Sequence, residues 1–501
     1  MPLNKNFILL ILMICPILGA FSAENKMYSK LELEAIALLP EDKKIKFESV
    51  LNLMGTNCTT NDSVLILKEP IYLDGKFEEP LFGMEFVIKG NIGVVGLTPL
   101  IGLKDYPNPN FIYEKNYVIV DKLLEAGIKI IGQGKGPPFN SRTISNPVNE
   151  PAIASRINSK YSSGGSSGGT ASNNFYGLGT DIGGSGRIPA AYNKRCTLYG
   201  VFSSPERVAF GLSYTPFTDT VDDLWKIYKV LENVLVSEKS SLESPKRKNI
   251  AFVEKLPTTS DSVVVHSSRI KSLQVAMEAL KQKGHNVTVI DSMDLNAYSN
   301  ENNESKRIVK NFVKFFCMEI AKGLNKMAAN HELPKRDQFD SMSWLLYNLG
   351  LLLLKDEQSI RQEILEDYKI IRVNTQRFKQ EREFDLIITP TILAEWAKPD
   401  DFPFPEEKQT TVQEFLDKED VEGLLEIATE LYQREFNLCN TLWGNVHDGD
   451  LPIVVVPGAC DEWGMYHSYQ LIGLNGKSKE EIFELLSLSR QLFEVFGDKA
   501  H

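Results

Sequence analysis

Residues 161–192 read YSSGGSSGGTASNNFYGLGTDIGGSGRIPAAY and hold nine glycines and six serines. This is not core-building material. Glycine-rich backbone takes positive φ and approaches a ligand closely, and its N–H groups are left pointing at whatever sits there. A flexible Gly/Ser linker between domains accounts for the first half. From Gly179 the stretch becomes GTDIGGSGRIPA, where an acid (Asp181), a cation (Arg187), β-branched residues and Pro189 alternate with glycine as no linker requires.

Upstream, LFGMEFVIKGNIGVVGL at 81–97 places an apolar Phe86-Val87-Ile88 run before Lys89-Gly90 and reads as a buried strand with a lysine at its end. A lysine in that position usually snorkels to solvent. Here the next segment, 116–134, reads as a helix, a Gly127 cap and a strand over 128–131, so an α/β layer forms around both motifs. Neither a Walker sequence nor a G-x-G-x-x-G fingerprint is present to explain the glycines by phosphate binding.

Downstream, a helix opens at Thr220 or Asp219 as N-cap and runs to about Val234. Strands over 248–253 and 287–290 flank a helix over 269–283 capped by Gly284. Residues 305–382 read as mostly helical and include WLLYNLGLLLL at 344–354, a buried helix or an apolar lining. Strands return over 385–389, 451–456 and 469–472, and a helix over 478–496 closes the chain. This alternation of helices and strands is that of a layered α/β fold.

The 501 residues are 43% hydrophobic and 24% charged, ordinary values for a globular protein. A net charge of −11 and a pI near 5.3 argue against a nucleic-acid partner. Residues 1–23, MPLNKNFILLILMICPILGAFSA, set Lys5 before an apolar run and small residues after it, the pattern of a secretory signal peptide. An uncleaved anchor is the alternative, but the run from Phe7 to Leu18, interrupted by Pro16, falls short of the ~20 residues that span a bilayer. The expected location is therefore the secretory pathway, either secreted or associated with the ER or a membrane. Sequons at Asn57, Asn61, Asn286 and Asn303 suit a glycoprotein, although 33 asparagines yield roughly that many by accident. Two short amphipathic helices broken near Pro40 are expected between 29 and 53.

Once Cys15 leaves with the leader, Cys58, Cys196, Cys317, Cys439 and Cys460 remain, an odd number without metal-site spacing. The six histidines form no H-E-x-x-H or Cys/His cluster, so neither a metal nor another cofactor is expected. A serine nucleophile needs a base, and its acyl intermediate needs donors aimed at the oxyanion. The successive N–H groups of Ile182, Gly183, Gly184 and Ser185 offer such a nest. No histidine lies in either motif. A lysine whose pKa is driven down by burial is the available base.

GGSSGG at 164–169, GTDIGGSGRIPA at 179–190 and FVIKGNI at 86–92 make the chain similar to the amidase signature family of serine hydrolases. Weaker agreement runs through 201–211, 220–224, 385–390 and DLPIVVVPG at 450–458. The resemblance implies a large single α/β domain over 61–501, a twisted mixed β-sheet core flanked by helices, with a helical insert at about 305–382 and an N-terminal helical segment over 24–60. It also implies a Ser-Ser-Lys triad that hydrolyses a carboxylic amide C–N bond through a serine acyl-enzyme. Ser185 would be the nucleophile, Ser166 the bridging serine in a cis peptide with Gly165, and Lys89 the terminal base. Asp181, Arg187, Gly165 and Ser167 would brace them.

The sequence departs from the family at three places. Gly90 stands where aspartate is common, and Phe202-Ser203-Ser204-Pro205 replaces a lysine-threonine-proline block. Thr170 to Leu178 is about five residues shorter than usual, which removes ~7 Å of helix after the bridging serine. The expected partner is a small-molecule amide, with membrane-surface association and a homodimer left open. Its branch resembles fatty-acid-amide hydrolases, with allophanate-hydrolase-type and amidotransferase-A-like amidases, or a catalytically impaired binding protein, as alternatives.

Overall fold

The lysine-bearing strand predicted near residue 86 lies inside a sheet, hydrogen-bonded on both edges. The computed structural model describes residues 59–60, 63–76, 79–105, 112–203, 211–233, 241–257, 263–291, 304–328, 332–447 and 449–497. The expected leader, the paired helices within 29–53, Cys15, Cys58, and the sequons at Asn57, Asn61 and Asn303 lie outside the described residues.

In chain order the strands are β1 (Thr59–Thr60), β2 (Val64–Ile71), β3 (Glu85–Lys89), β4 (Lys129–Gly134), β5 (Tyr176–Asp181), β6 (Thr197–Tyr199) and β7 (Phe202–Ser203). They continue as β8 (Ser213–Phe217), β9 (Asn249–Phe252), β10 (Asn286–Val289), β11 (Leu386–Pro390), β12 (Ile453–Cys460) and β13 (Tyr466–Gly473). The helices are α1 (Val118–Glu125), α2 (Gly168–Ala171), α3 (Arg187–Tyr192), α4 (Val221–Leu231), α5 (Ser267–Gln282) and α6 (Glu304–Ala328). After them come α7 (Ser341–Leu353), α8 (Glu357–Arg382), α9 (Glu406–Asp417), α10 (Val421–Phe436), α11 (Leu442–Asn445) and α12 (Lys479–Gly497).

The fold is mixed α/β, as expected, and its strands form two mixed sheets flanked by helices. The seven-stranded sheet has the order β1-β2-β4-β3-β5-β8-β7, and the six-stranded sheet the order β10-β9-β11-β13-β12-β6. An antiparallel bridge between Cys196, just before β6, and Thr218, just after β8, joins them. In the first sheet β3 runs parallel to both β4 and β5, with Phe86 opposite Tyr176 and Lys89 opposite Gly134. The carboxyl ends of β3 and β5 therefore lie side by side, the usual place for a site in an α/β sheet.

β5 was not legible as a strand because its sequence, YGLGTD, carries two glycines, which are depleted in strands. Gly179 has a packing reason. A Cβ there would come within 2.7 Å of the Phe217 ring and 2.8 Å of the Ser167 hydroxyl, so only glycine lets the serine-rich turn lie on the strand.

One hydrophobic core runs through both sheets, combining Phe86, Ile88 and Leu178 with Ile250, Val454 and Leu471 beneath Trp225 of α4 and Leu486 of α12. Thr220 caps α4, its side chain accepting the Asp223 N–H. A second core joins α6, α7 and α10 to α3 through Phe312, Leu345, Leu425 and Ile188. The apolar run at 344–354 lies largely in α7, where Leu345, Leu346, Leu349 and Leu353 are buried, so it is a packing helix. No described helix is long and apolar enough to cross a membrane. Among the described cysteines, Cys196, Cys317 and Cys439 are buried free thiols and Cys460 an exposed one.

Candidate active site

Lys89 ends β3 with 1% exposure. Its Nζ donates to Ser166 Oγ at 2.7 Å and to Thr180 Oγ1 at 3.0 Å. Burial pushes its pKa down from 10.5 to about 7, against the opposing pull of the Asp181 carboxylate. Near neutral pH this amine is thus able to accept a proton.

Ser166 sits in the turn that leads into α2, after a cis peptide bond with Gly165. Ser145 Oγ donates to Gly164 O at 2.8 Å and accepts the Gly168 N–H at 3.2 Å, which fixes the turn from both sides. Ser167 ties the turn to β5, donating to Thr180 O at 3.2 Å. The shortened connection after it is a single helical turn closed by Asn173, whose Nδ2 donates to Gly169 O and Thr170 O. Arg195, buried in the same region, gathers the carbonyls of Asn173 and Phe175. The missing helix therefore leaves the contact between Lys89 and Ser166 in place.

The loop after β5 is organised by Asp181, which is fully buried with Arg187. Arg187 Nε and Nη2 reach the two Asp181 oxygens at 2.9 Å each. Nη1 donates to Thr441 O at 2.8 Å, Nη2 to Asn445 Oδ1 at 2.5 Å, and the guanidinium stacks 4.3 Å over the Tyr199 ring. Burial alone would raise the Asp181 carboxyl, but the Arg187 charge and the hydrogen bonds from Arg187, Asn445 and Gly184 hold it below its ordinary range. Such a pair withstands desolvation because its remaining donors and acceptors are also satisfied.

Asp181 also corrects the expected nest. The Gly184 N–H donates to Asp181 Oδ1 at 2.8 Å, and those of Gly186 and Arg187 donate to Oδ2. Gly184 is thereby removed as an oxyanion donor, because its proton is already committed to a carboxylate. The N–H groups of Ile182, Gly183 and Ser185 have no partner among the described residues. Ser185 is partly exposed, in contrast to buried Lys89 and Ser166. Its carbonyl accepts the Ser167 N–H at 3.2 Å, which brings the two serine motifs together, while its hydroxyl has no partner among the described residues.

Several residues of this site carry little or no sequence signal. Thr180 had one, since it precedes Asp181 within the same motif. Thr441, Asn445 and Gln470 follow Arg187 by more than 250 positions and belong to no local pattern. Thr441 Oγ1 donates to Gly183 O at 2.9 Å and so holds the loop from the far side.

The sequence pattern of the Amidase family matches residues 57–421, more than half of the chain. The chain belongs to the Amidase family, and its fold is that of amidase-signature enzymes. The A-type subunit of a glutamyl-tRNA(Gln) amidotransferase from Exiguobacterium sibiricum is 36% identical over 155 residues, which cover 29% of this chain and 32% of that protein. The chain thus aligns with about a third of that relative's length. A 6-aminohexanoate cyclic dimer hydrolase complexed with substrate superposes with a TM-score of 0.65 at 17% identity over 93% of each chain. An allophanate hydrolase from Kluyveromyces lactis does so with a TM-score of 0.60 at 20% identity, over 94% of this chain and 73% of that one.

Proposed function

We propose that the protein hydrolyses a carboxylic amide through an acyl-enzyme on Ser185. The observation that carries this reading is the 2.7 Å hydrogen bond between Lys89 Nζ and Ser166 Oγ in a buried site. Lys89, neutral above about pH 7, takes the Ser166 proton as Ser166 Oγ takes that of Ser185. Ser185 Oγ bonds to the substrate carbonyl carbon, and the carbonyl electrons move to oxygen beside the N–H groups of Ile182, Gly183 and Ser185. Collapse breaks the C–N bond while the relay runs backwards and protonates the leaving nitrogen. Water then enters by the same relay, adds to the ester and releases the acid and free Ser185.

An apolar acyl group is the proposed substrate feature. Gly183 packs against Phe312, with Phe436 within 3.5 Å of where its Cβ would lie, and Phe316 and Tyr432 extend the aromatic group. A turnover screen of short-chain, aromatic and long-chain acyl amides, with Ser185→Ala as control, tests this. The reading requires Ser185-dependent hydrolysis that favours apolar acyl groups; hydrolysis surviving in Ser185→Ala contradicts it.

A second reading draws on the 36% identity to the glutamyl-tRNA(Gln) amidotransferase protein. In it the chain supplies the amidase half of an assembly, and activity appears only when partner proteins are added. Export directed by residues 1–23 remains a separate proposal, tested by sequencing the N-terminus of protein recovered outside the cell.

A further inference from the structure

Helix α10 ends where it touches both halves of the site. Glu435, on its last turn, is 1% exposed. Its carboxylate accepts the Thr143 N–H at 2.8 Å, the Thr143 hydroxyl at 2.9 Å and Arg142 Nε. Arg142 Nη2 continues to Phe402 O at 2.8 Å. Nearby on the same helix, the Tyr432 hydroxyl donates to Ser141 O at 2.7 Å. Residues 141–143 are therefore pinned to α10 by side chains.

That pinned segment is the wall behind the Ser166 turn. A Cβ on Gly165 would collide with the Arg142 carbonyl oxygen and approach the Ile144 carbonyl oxygen to 2.8 Å. Two residues further on, Ser145 holds Gly164 and Gly168. The chain of contact runs from Glu435 through Arg142 and Thr143 to Gly165, and so to Ser166. Phe436, the next residue, rests beside Gly183.

We propose that Glu435 is a positioning residue for the reaction, holding residues 141–145 against the Gly164–Ser166 turn so that Ser166 stays on Lys89 with water excluded. The inference rests on the roles given above to Lys89, Ser166 and Ser185. A purely structural ion pair would lower stability when broken but leave the chemistry of surviving folded molecules unchanged. A positioning residue changes the titration of the site itself.

The sign of that change separates indirect from direct action. Lys89 is faced by the Ser166 and Thr180 hydroxyls and, among charges, by Asp181; Glu435 is not one of the charges acting on it. Removing a carboxylate by direct electrostatics would lower a lysine pKa. Loosening the turn admits water and raises it.

The experiment follows the rate at which a fluorophosphonate probe labels Ser185 in the purified full chain, across pH and probe concentration. Glu435→Gln, Glu435→Asp, Thr143→Val and a destabilising control, Leu486→Ala in α12, are compared with wild type. For Glu435→Gln the saturating rate is expected to fall about 100-fold with the half-saturating probe concentration within about twofold, as for a misplaced reacting group. Its acid limb should move up by about half a pH unit or more. Glu435→Asp should recover part of the rate, and Thr143→Val, which keeps the charge pair, should move the limb in the same direction by less. If Glu435→Gln does not fold, the Thr143→Val shift decides. A limb that stays at the wild-type pH in folded variants, or a rate loss no larger than that of Leu486→Ala, overturns the inference. A wild type that is itself unlabelled at Ser185 overturns the underlying triad reading and this inference together, whereas a labelled wild type with unmoved variants overturns this inference alone.

Discussion

Lys89 Nζ and Ser166 Oγ, 77 positions apart in the sequence, lie 2.7 Å apart, and both residues are buried. The contact exists because β3 ends beside β5 while the serine-rich turn crosses over both. A lysine held there lowers its own pKa and costs the fold stability.

That cost gives the first prediction. In the folded chain Lys89 titrates near 7, against 10.5 when unfolded, so between those values only the unfolded state holds the proton. Stability therefore rises with pH across this window, and below about 7 the cost is fully present. Lys89→Met should be at least as thermally stable as wild type at neutral pH, and its advantage should shrink as the pH approaches 10.5. Thermal melts of the two proteins over that range check this; a Lys89→Met that melts lower throughout contradicts it. Activity should fall by about 10²–10⁴-fold, the usual contribution of a general base.

Arg187 is a second test, because Asp181 is engaged by two guanidinium nitrogens. A lysine cannot reproduce that fork or the bonds to Thr441 and Asn445. Arg187→Met, which leaves the Asp181 carboxylate buried without its cation, should lose about 3–5 kcal/mol of stability in urea titration, the range for a broken buried pair, and Arg187→Lys, which keeps the charge but not the fork, about 1–3 kcal/mol. A loss below about 1 kcal/mol would show that the pair is not what organises the loop.

Gly184→Ala probes the loop that carries Ser185 without touching a charge. Gly184 has φ of +118°, and a Cβ there would collide with the Thr441 hydroxyl. The variant should lose Ser185 reactivity by at least about 100-fold. Full reactivity in the variant contradicts the loop geometry.

Much of this site was readable because its parts are local. An apolar run ending in Lys89, a serine between glycines, and Asp181 with Arg187 six residues on all sit within short motifs. Thr220 as a cap and the apolar helix at 344–354 were equally plain. β5 was hidden because glycine, avoided by strands, is demanded there by Ser167 and Phe217. The division into two sheets depends on which edges pair, a non-local choice. Glu435, Thr441, Asn445 and Gln470 reach the site only through tertiary packing, and no spacing announces them. Gly184 differs from its expected place in the nest for a related reason: a sequence shows which N–H groups a glycine loop presents, but not that a carboxylate three residues earlier turns back to take one.

The relay from Lys89 through Ser166 to Ser185 is best tested by fluorophosphonate labelling of Ser185, located by peptide mass, in wild type, Ser166→Ala and Lys89→Met across neutral pH. Wild-type labelling should rise with pH through about 7, the value to which Lys89 is lowered. Ser185→Ala should abolish labelling, and both relay variants should lose the rate and its pH dependence. Folded wild-type protein that is unlabelled at Ser185, or labelled at a rate indifferent to Lys89 and to pH, would contradict the relay.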